Sequence, residues 1–356
     1  MIHRPGARKR TRKRSRKRAG KRAGEEKAVG IGVAVIGLGW WGRELARAAG
    51  HVPGLDLVAG VSPDAGERTS FARDFGCAAG PVFADALADP AVDAVLIATP
   101  HSLHAEQVAA AARAGRHVFV EKPFTLTAAS GRAAAAACRE AGVVLAVGHN
   151  RRLSGAATRL RGLLEEGAFG TVLHLEGHFS SPSALAYRPD MWRAQRAEAP
   201  GGGMASMGLH IVDTMQWLFG PVGRVSCLAR RAAAPVDIDD ATTALLEFDS
   251  GLTATLTSLF ATSLDAWLRV CTTNGIYTAS DDFARLTRLR MDGTIEALPV
   301  EPVDTVAEQL ARFAAAIRGE GAVAATPEEA IANVAVMEAM AASAAANGAW
   351  REARHS

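Results

Sequence analysis

The sequence predicts an α/β molecule, a doubly wound parallel sheet followed by an α+β part. Two observations carry this. From Val29 to about Asn150, short apolar runs alternate with helical stretches of about 10–15 residues, the pattern of a parallel sheet. After Arg152 that alternation stops, and successive strand-like runs are joined by short turns such as Asp249-Ser250-Gly251, a hairpin signal of an antiparallel meander.

The elements follow in order. Gly32–Ile36 is an apolar run ending in glycines, which reads as a buried parallel strand. A helix is expected over 44–49, ending at Gly50, then a strand over 55–61 and a helix over 68–74. Residues 82–87 have no clear period. A strand over 92–98, a helix over 104–114 closed by Gly115, a strand over 117–120, a helix over 128–141 and a strand over 143–147 complete the first unit. The second unit shows a helix over 160–166 and strands over 171–180, 225–231, 241–248, 252–260 and 266–273. It closes with helices over 306–318 and 328–346. The expected division is a basic tail at 1–28, an alternating α/β unit at 29–150, and an α+β unit at 151–356 with closing helices in 306–346.

Charge is divided as sharply as structure. The 356 residues carry a net +3, but 13 of the 40 Lys and Arg lie in residues 1–28 beside only Glu25 and Glu26. The remaining chain has 27 bases against 35 acids, a net of −8. Like-charge repulsion and a lack of apolar residues predict a disordered tail without the apolar segment of a secretory signal. It reads either as a tether for nucleic acid or another polyanion, or as an inert extension ahead of a start near Val29. The absence of interleaved aromatics favours the inert reading. With 49% hydrophobic residues and no uncharged apolar run of about 18, the body is globular with no expected membrane span. Cys77, Cys138, Cys227 and Cys271 have neither CxxC nor metal spacing, which predicts free thiols in a reducing cytoplasm.

The turn Gly37-x-Gly39-x-x-Gly42 follows a strand and opens a helix. The first glycine permits the tight turn, the second lets backbone amides approach a pyrophosphate, and the third lets helix and sheet pack closely. The anion then meets the positive end of the helix dipole. Gly37, Leu38, Gly39, Trp41 and Gly42 are therefore cofactor-binding candidates, with Trp40 and Trp41 packing beside the loop. A carboxylate is expected about 20 residues on, for the ribose hydroxyl of NAD. Ser62 stands there instead, so the sequence leans to NADP over NAD, with Asp64 and Arg68 close by.

Three further segments bring in a family. They are Ile97-Ala98-Thr99-Pro100-His101-Ser102-Leu103-His104, then Phe119-Val120-Glu121-Lys122-Pro123, then Gly201-Gly202-Gly203 followed by Ser206, His210 and Asp213. With the glycine turn, and over about 29–345, the chain resembles the Gfo/Idh/MocA family of glucose–fructose oxidoreductases, inositol dehydrogenases and their relatives. The resemblance implies an N-terminal Rossmann unit and a C-terminal α+β unit with a large open, mainly antiparallel sheet. The sheet faces of such proteins make homodimers or homotetramers. It implies NAD(P)-dependent hydride transfer at a hydroxyl-bearing carbon of a sugar, cyclitol or diol-like small molecule.

The resemblance makes Lys122 and His210 the expected catalytic pair. An ammonium at the C-terminal end of a parallel strand can stabilise a developing alkoxide, and a histidine can take the hydroxyl proton. Pro123 resembles the family's cis-proline. Thr99, Pro100, His104, Glu121, Lys122 and Arg151 are expected on the cofactor side with Ser62. Ser206, Asp213, Tyr187, Trp192 and Arg193 are expected to contact substrate, and Arg193 with Arg196 would suit a carboxylate. Ser206 departs from the family, whose pattern D-x-x-x-H has Asp four residues before the histidine. A serine hydroxyl cannot hold a carboxylate's charge. Two other readings thus stay open: a hydrolase or eliminase using bound dinucleotide as transient oxidant, and a dinucleotide-binding regulatory protein. Gly148-His149-Asn150-Arg151-Arg152 reads either as contact with cofactor or an anionic substrate, through His149 and the two arginines, or as interdomain ion pairs. His174, Glu176 and His178 share a strand face, and no metal site is expected there.

Overall fold

The computed structural model describes residues 30–353, so the basic tail lies outside the described residues. The first sheet is wholly parallel. Its strands are β1 (Ile31–Ile36), β2 (Leu55–Val61), β3 (Ala78–Gly80), β4 (Ala94–Ile97), β5 (His117–Val120) and β6 (Leu145–Val147), in the order β3-β2-β1-β4-β5-β6. All residues of β1 and β4 are buried, as the unbroken apolar runs require of strands covered on both faces. The helices between them are α1 (Trp40–Ala49), α2 (Ala65–Phe75), α3 (Phe83–Ala88), α4 (His104–Arg113) and α5 (Ala128–Ala141). The aperiodic stretch at 82–87 is this short α3. Helix α1 begins directly after Gly39, four residues before the expected start. Successive strands leave β1 toward β2 and β3, then toward β4, so the order reverses between β1 and β4. The crevice beyond their C-terminal ends is where such sheets bind ligands.

The second sheet has nine strands, ordered β14-β13-β12-β11-β7-β10-β9-β8-β15. They are β7 (Val172–Ser180), β8 (Val222–Arg230), β9 (Ala241–Phe248), β10 (Thr253–Leu259), β11 (Asp265–Thr272), β12 (Gly275–Ser280), β13 (Arg285–Leu289), β14 (Ile295–Leu298) and β15 (Arg351–Glu352). Only β7 and β10 pair in parallel. Strands β12 to β14 were not expected, because Arg285-Leu286-Thr287-Arg288-Leu289 offers little apolar signal at a sheet's outer end. One face is covered by α6 (Gly155–Glu165), α7 (Leu209–Phe219) and α9 (Pro327–Ala345), through Leu160, Ile211, Met215 and Met340 against Leu175, Leu246 and Leu256. Helix α6 starts at Ser154, whose hydroxyl caps Ala157 N, earlier than the apolar period alone suggests.

The closing helices join the two sheets. On α8 (Thr305–Ile317), Leu310 and Phe313 pack with Val33 and Phe119 of the first sheet and Leu45 of α1. On α9, Ile331 and Val334 pack with Val120 and Phe124, while Val336 and Met340 enter the core of the second sheet.

Candidate active site

The crevice holds a cavity of about 250 Å³ lined by both sheets' loops: Trp41, Thr99, Glu121, Lys122, Arg151, Trp192, Arg193, Ser206 and His210 among them. Gly37 has φ +91°, and a Cβ there would stand 2.7 Å from Ala98 O. A Cβ on Gly42 would stand 1.8 Å from Gly37 O. No side chain caps the start of α1 and no acid lies in its first turn, so its amides face the crevice open to an anion. Trp41 Nε1 and the Glu121 carboxylate are buried together at the wall of this crevice, and the indole N–H helps to hold that carboxylate ionised. The glycine cradle and the uncapped helix start fit the pyrophosphate of a dinucleotide.

Lys122 follows β5 across a cis peptide to Pro123, and its Nζ donates to Ser206 O at 2.7 Å. Burial pulls the ammonium below its ordinary range, against the opposing pull of Glu121. Burial likewise raises Glu121, whose Oε2 accepts Lys122 N–H at 3.2 Å. His210 opens α7. Burial, then Arg151, Lys122 and His149, hold its imidazole well below the ordinary range, so it is neutral, and its Nδ1 has no partner. The sequence places Ser206 one α-turn before it. The structure makes Met204–Gly208 a π-type turn, with Ser206 Oγ donating to Gly203 O at 3.4 Å. Both side chains still reach the cavity.

The other expected residues divide between the cavity wall and its surroundings. Asp213 does not line the cavity. It is buried against Arg152, which donates from Nε at 3.0 Å and Nη2 at 2.5 Å, and it accepts from Asn333 Nδ2 at 2.7 Å. His149 joins this cluster 3.5 Å from Asp213 Oδ1, and Arg152 also reaches Glu329. Buried Arg152 makes ion pairs whose acidic partners, Asp213 and Glu329, lie in the same second unit, while Arg151 lines the cavity and pairs with Asp282 at 2.7 and 2.9 Å. Tyr187 packs edge-on to Phe260 and does not line the cavity. His104 is fully buried, its ring nitrogens 2.9 and 3.1 Å from the carbonyl oxygens of Pro123 and Thr99. It braces the loops around Pro100 and Lys122. Thr99 Oγ1 donates to Gln107, and Arg196 is taken up by Asp237 and Asp239. His174 contacts Thr253, and His178 contacts Ser180 and stacks on Trp267.

Sequence reasoning missed His101 and Glu67. The His101 ring meets Trp192 edge-on at 4.9 Å, and its Nδ1 lies 2.7 Å from Glu198 O, tying the loop before α4 to the loop over the cavity. Ser62, at the end of β2, donates to Glu67 Oε2 at 2.6 Å, and the other carboxylate oxygen lies 3.8 Å from where a Gly39 Cβ would stand. A carboxylate therefore does stand beside the glycine turn, supplied by α2. The signal was Asp64-x-x-Glu67: Asp64 caps the helix at Glu67 N, which turns the Glu67 side of α2 over the strand end.

Comparison with known proteins agrees with this geometry. A family model described as an oxidoreductase family with an NAD-binding Rossmann fold matches residues 31–149, and the GFO/IDH/MocA C-terminal domain matches 157–278, together well over half of the chain. The chain is 29% identical over 312 residues to a 1,5-anhydro-D-fructose reductase of Ensifer adhaerens, covering 85% of this chain and 92% of that one. It is 32% identical over 228 residues to an NAD(+)-named scyllo-inositol 2-dehydrogenase of Bacillus subtilis, covering 61% and 64%. Levoglucosan dehydrogenase, solved with NADH and levoglucosan, shares the fold with a TM-score of 0.84 at 22% identity over 92% of this chain and all of that one. The chain belongs to the Gfo/Idh/MocA family and is an NAD(P)-binding oxidoreductase of the sugar and cyclitol dehydrogenase kind.

Proposed function

We propose that this chain interconverts a secondary alcohol and a ketone on a small polyhydroxylated substrate, with Lys122 and His210 as its catalytic residues. The observation that carries this reading is the meeting of the Lys122 ammonium and the neutral His210 imidazole in one cavity beside the glycine turn. The nicotinamide, when bound, supplies reversible hydride acceptance. Lys122 has three N–H donors and gives one to Ser206 O, leaving two for the reacting oxygen. His210, neutral at physiological pH, accepts the hydroxyl proton. Ser206 contributes a hydroxyl but no charge, so the pair works without the family's carboxylate. Purified protein with a polyol panel, followed at 340 nm, tests this. Lys122→Ala should abolish turnover while still quenching tryptophan fluorescence with cofactor, and retained activity would sink the role of the lysine.

Glu67 supports NAD rather than the NADP expected from Ser62 alone. A carboxylate accepts a ribose 2′-hydroxyl and repels a 2′-phosphate. NADH should bind at least tenfold more tightly than NADPH, and Glu67→Gln should narrow that ratio. Equal affinities in the unaltered protein would dismiss the assignment.

The open face of the second sheet, bearing Leu228, Leu245 and Ile295, is proposed to join copies into a homodimer or homotetramer. No helix among the described residues is long and apolar enough to cross a membrane, and all four cysteines are free, which supports a cytoplasmic setting.

A further inference from the structure

Three cations line the active cavity, and they are not equivalent. Arg151 is neutralised by the two-point contact with Asp282 and lies over the Phe179 ring at 4.8 Å. Lys122 is engaged by Ser206 O and faces its neighbour Glu121. Arg193 has neither: among the described residues it makes no ion pair and no hydrogen bond, and its guanidinium rests 4.1 Å from the Trp192 ring. The same loop's other arginines are both satisfied, Arg188 by Asp190 and Arg196 by Asp237 and Asp239. The exception is the one that lines the cavity, open to the solvent of the cleft.

The surroundings favour an anion at this place. Glu121 is the single carboxylate on the cavity wall, set against three cations. The Arg193 guanidinium lies over the Trp192 ring, and His101 packs edge-on against Trp192. His101 and Glu198 fasten this loop to the loop before α4, where Glu198 Oε2 accepts Ser102 N–H at 3.1 Å. A guanidinium carries its N–H donors in a planar fork, which matches a planar carboxylate in two hydrogen bonds.

We propose that Arg193 seats a carboxylate of the substrate, so that the chain acts on polyhydroxy acids of the aldonic or uronic class rather than on neutral sugars. This rests on the oxidoreductase reading given above and adds the substrate class to it. The carboxylate takes no part in the redox change. The carbinol C–H leaves as hydride, its O–H proton goes to His210, and the carboxylate stays ionised on Arg193 throughout.

The test uses the binary complex with NADH and, separately, turnover with NAD⁺. Calorimetry with gluconate, glucuronate and galactonate, against glucose, myo-inositol and glucose 6-phosphate, should show at least one acid binding tenfold or more tighter than its neutral counterpart. In Arg193→Gln that preference should vanish, with NADH affinity unchanged, and the KM for the acid should rise roughly 10–100-fold, the loss of a charge-assisted hydrogen-bonded pair. Arg193→Lys should recover part of it, since the charge remains and the fork does not. The proposal is overturned if all three acids bind no better than the neutral compounds. An equal loss for acid and neutral ligands in Arg193→Gln, or a preference for glucose 6-phosphate over every acid, also overturns it. Should no compound turn over while acid binding still depends on Arg193, the redox reading fails and the carboxylate seat stands.

Discussion

At the scale of single residues, the chemistry proposed for Lys122 and His210 rests on two depressed pKa values with one cause. Burial holds His210 below the ordinary histidine range and Lys122 below the ordinary lysine range. His210 must be neutral to accept a proton, so alcohol oxidation should persist below about pH 6.5, where an unperturbed histidine would already be charged. Lys122 must be charged, so activity should fall on the alkaline side below the usual lysine value of about 10.4. A pH profile of kcat/KM checks both limbs, and His210→Asn should lower kcat by about 10²–10⁴-fold and erase the acid limb. Ser206→Ala should cost far less, because the serine's hydroxyl meets only Gly203 O at 3.4 Å. The reverse order of losses would make the serine central. Lys122 and His210 were legible because their motifs are short and local. Glu67 was not, because it reaches the strand end from the helix that follows, and strand-end reading alone stops at Ser62.

At the scale of elements, alternation and apolar runs gave five of the six parallel strands of the first sheet to within a few residues, and missed β3 (Ala78–Gly80), a three-residue edge strand with no buried residue. Strands β12 to β14 escaped because outer strands need little apolar content. The loop between β7 and α7 carries Trp192 and Arg193 and ends in three glycines, of which Gly202 has φ +59°. A Cβ there would stand 1.6 Å from Asp239 O. Gly202→Ala should therefore destabilise by about 1–3 kcal/mol, seen as a fall of roughly 2–4 °C in Tm per kcal/mol for a chain of this size. An unchanged Tm would mean that the loop and the segment at Asp239 shift apart without cost.

At the scale of the whole molecule, the seam between the sheets is charged and buried. Asp213, Arg152 and His149 are buried there, and burial pushes His149 down to about 4. The unfolded chain binds a proton on this histidine at about 6.5 and the folded chain does not, so stability rises with pH across that window. As pH falls from 6.5 to 4, on the order of 3 kcal/mol should be lost through His149. His101, His104 and His210, also lowered by burial, act in the same direction. Urea midpoints at pH 7 and pH 4.5 test this, and equal midpoints would contradict it. If the open sheet face joins copies as proposed, Leu245→Glu should leave the fold intact and give smaller species in light scattering than the unaltered chain. Helix α9 has a further bearing on how the chain matures. Because Ile331 and Val334 close one core while Val336 and Met340 close the other, neither half can finish until the last sixth of the sequence has been made. A ribosome releasing the first 320 residues would present two unfinished apolar surfaces, so this protein depends on its final helix to complete both halves at once, and gene fragments ending at the apparent boundary near residue 150 should accumulate as aggregates.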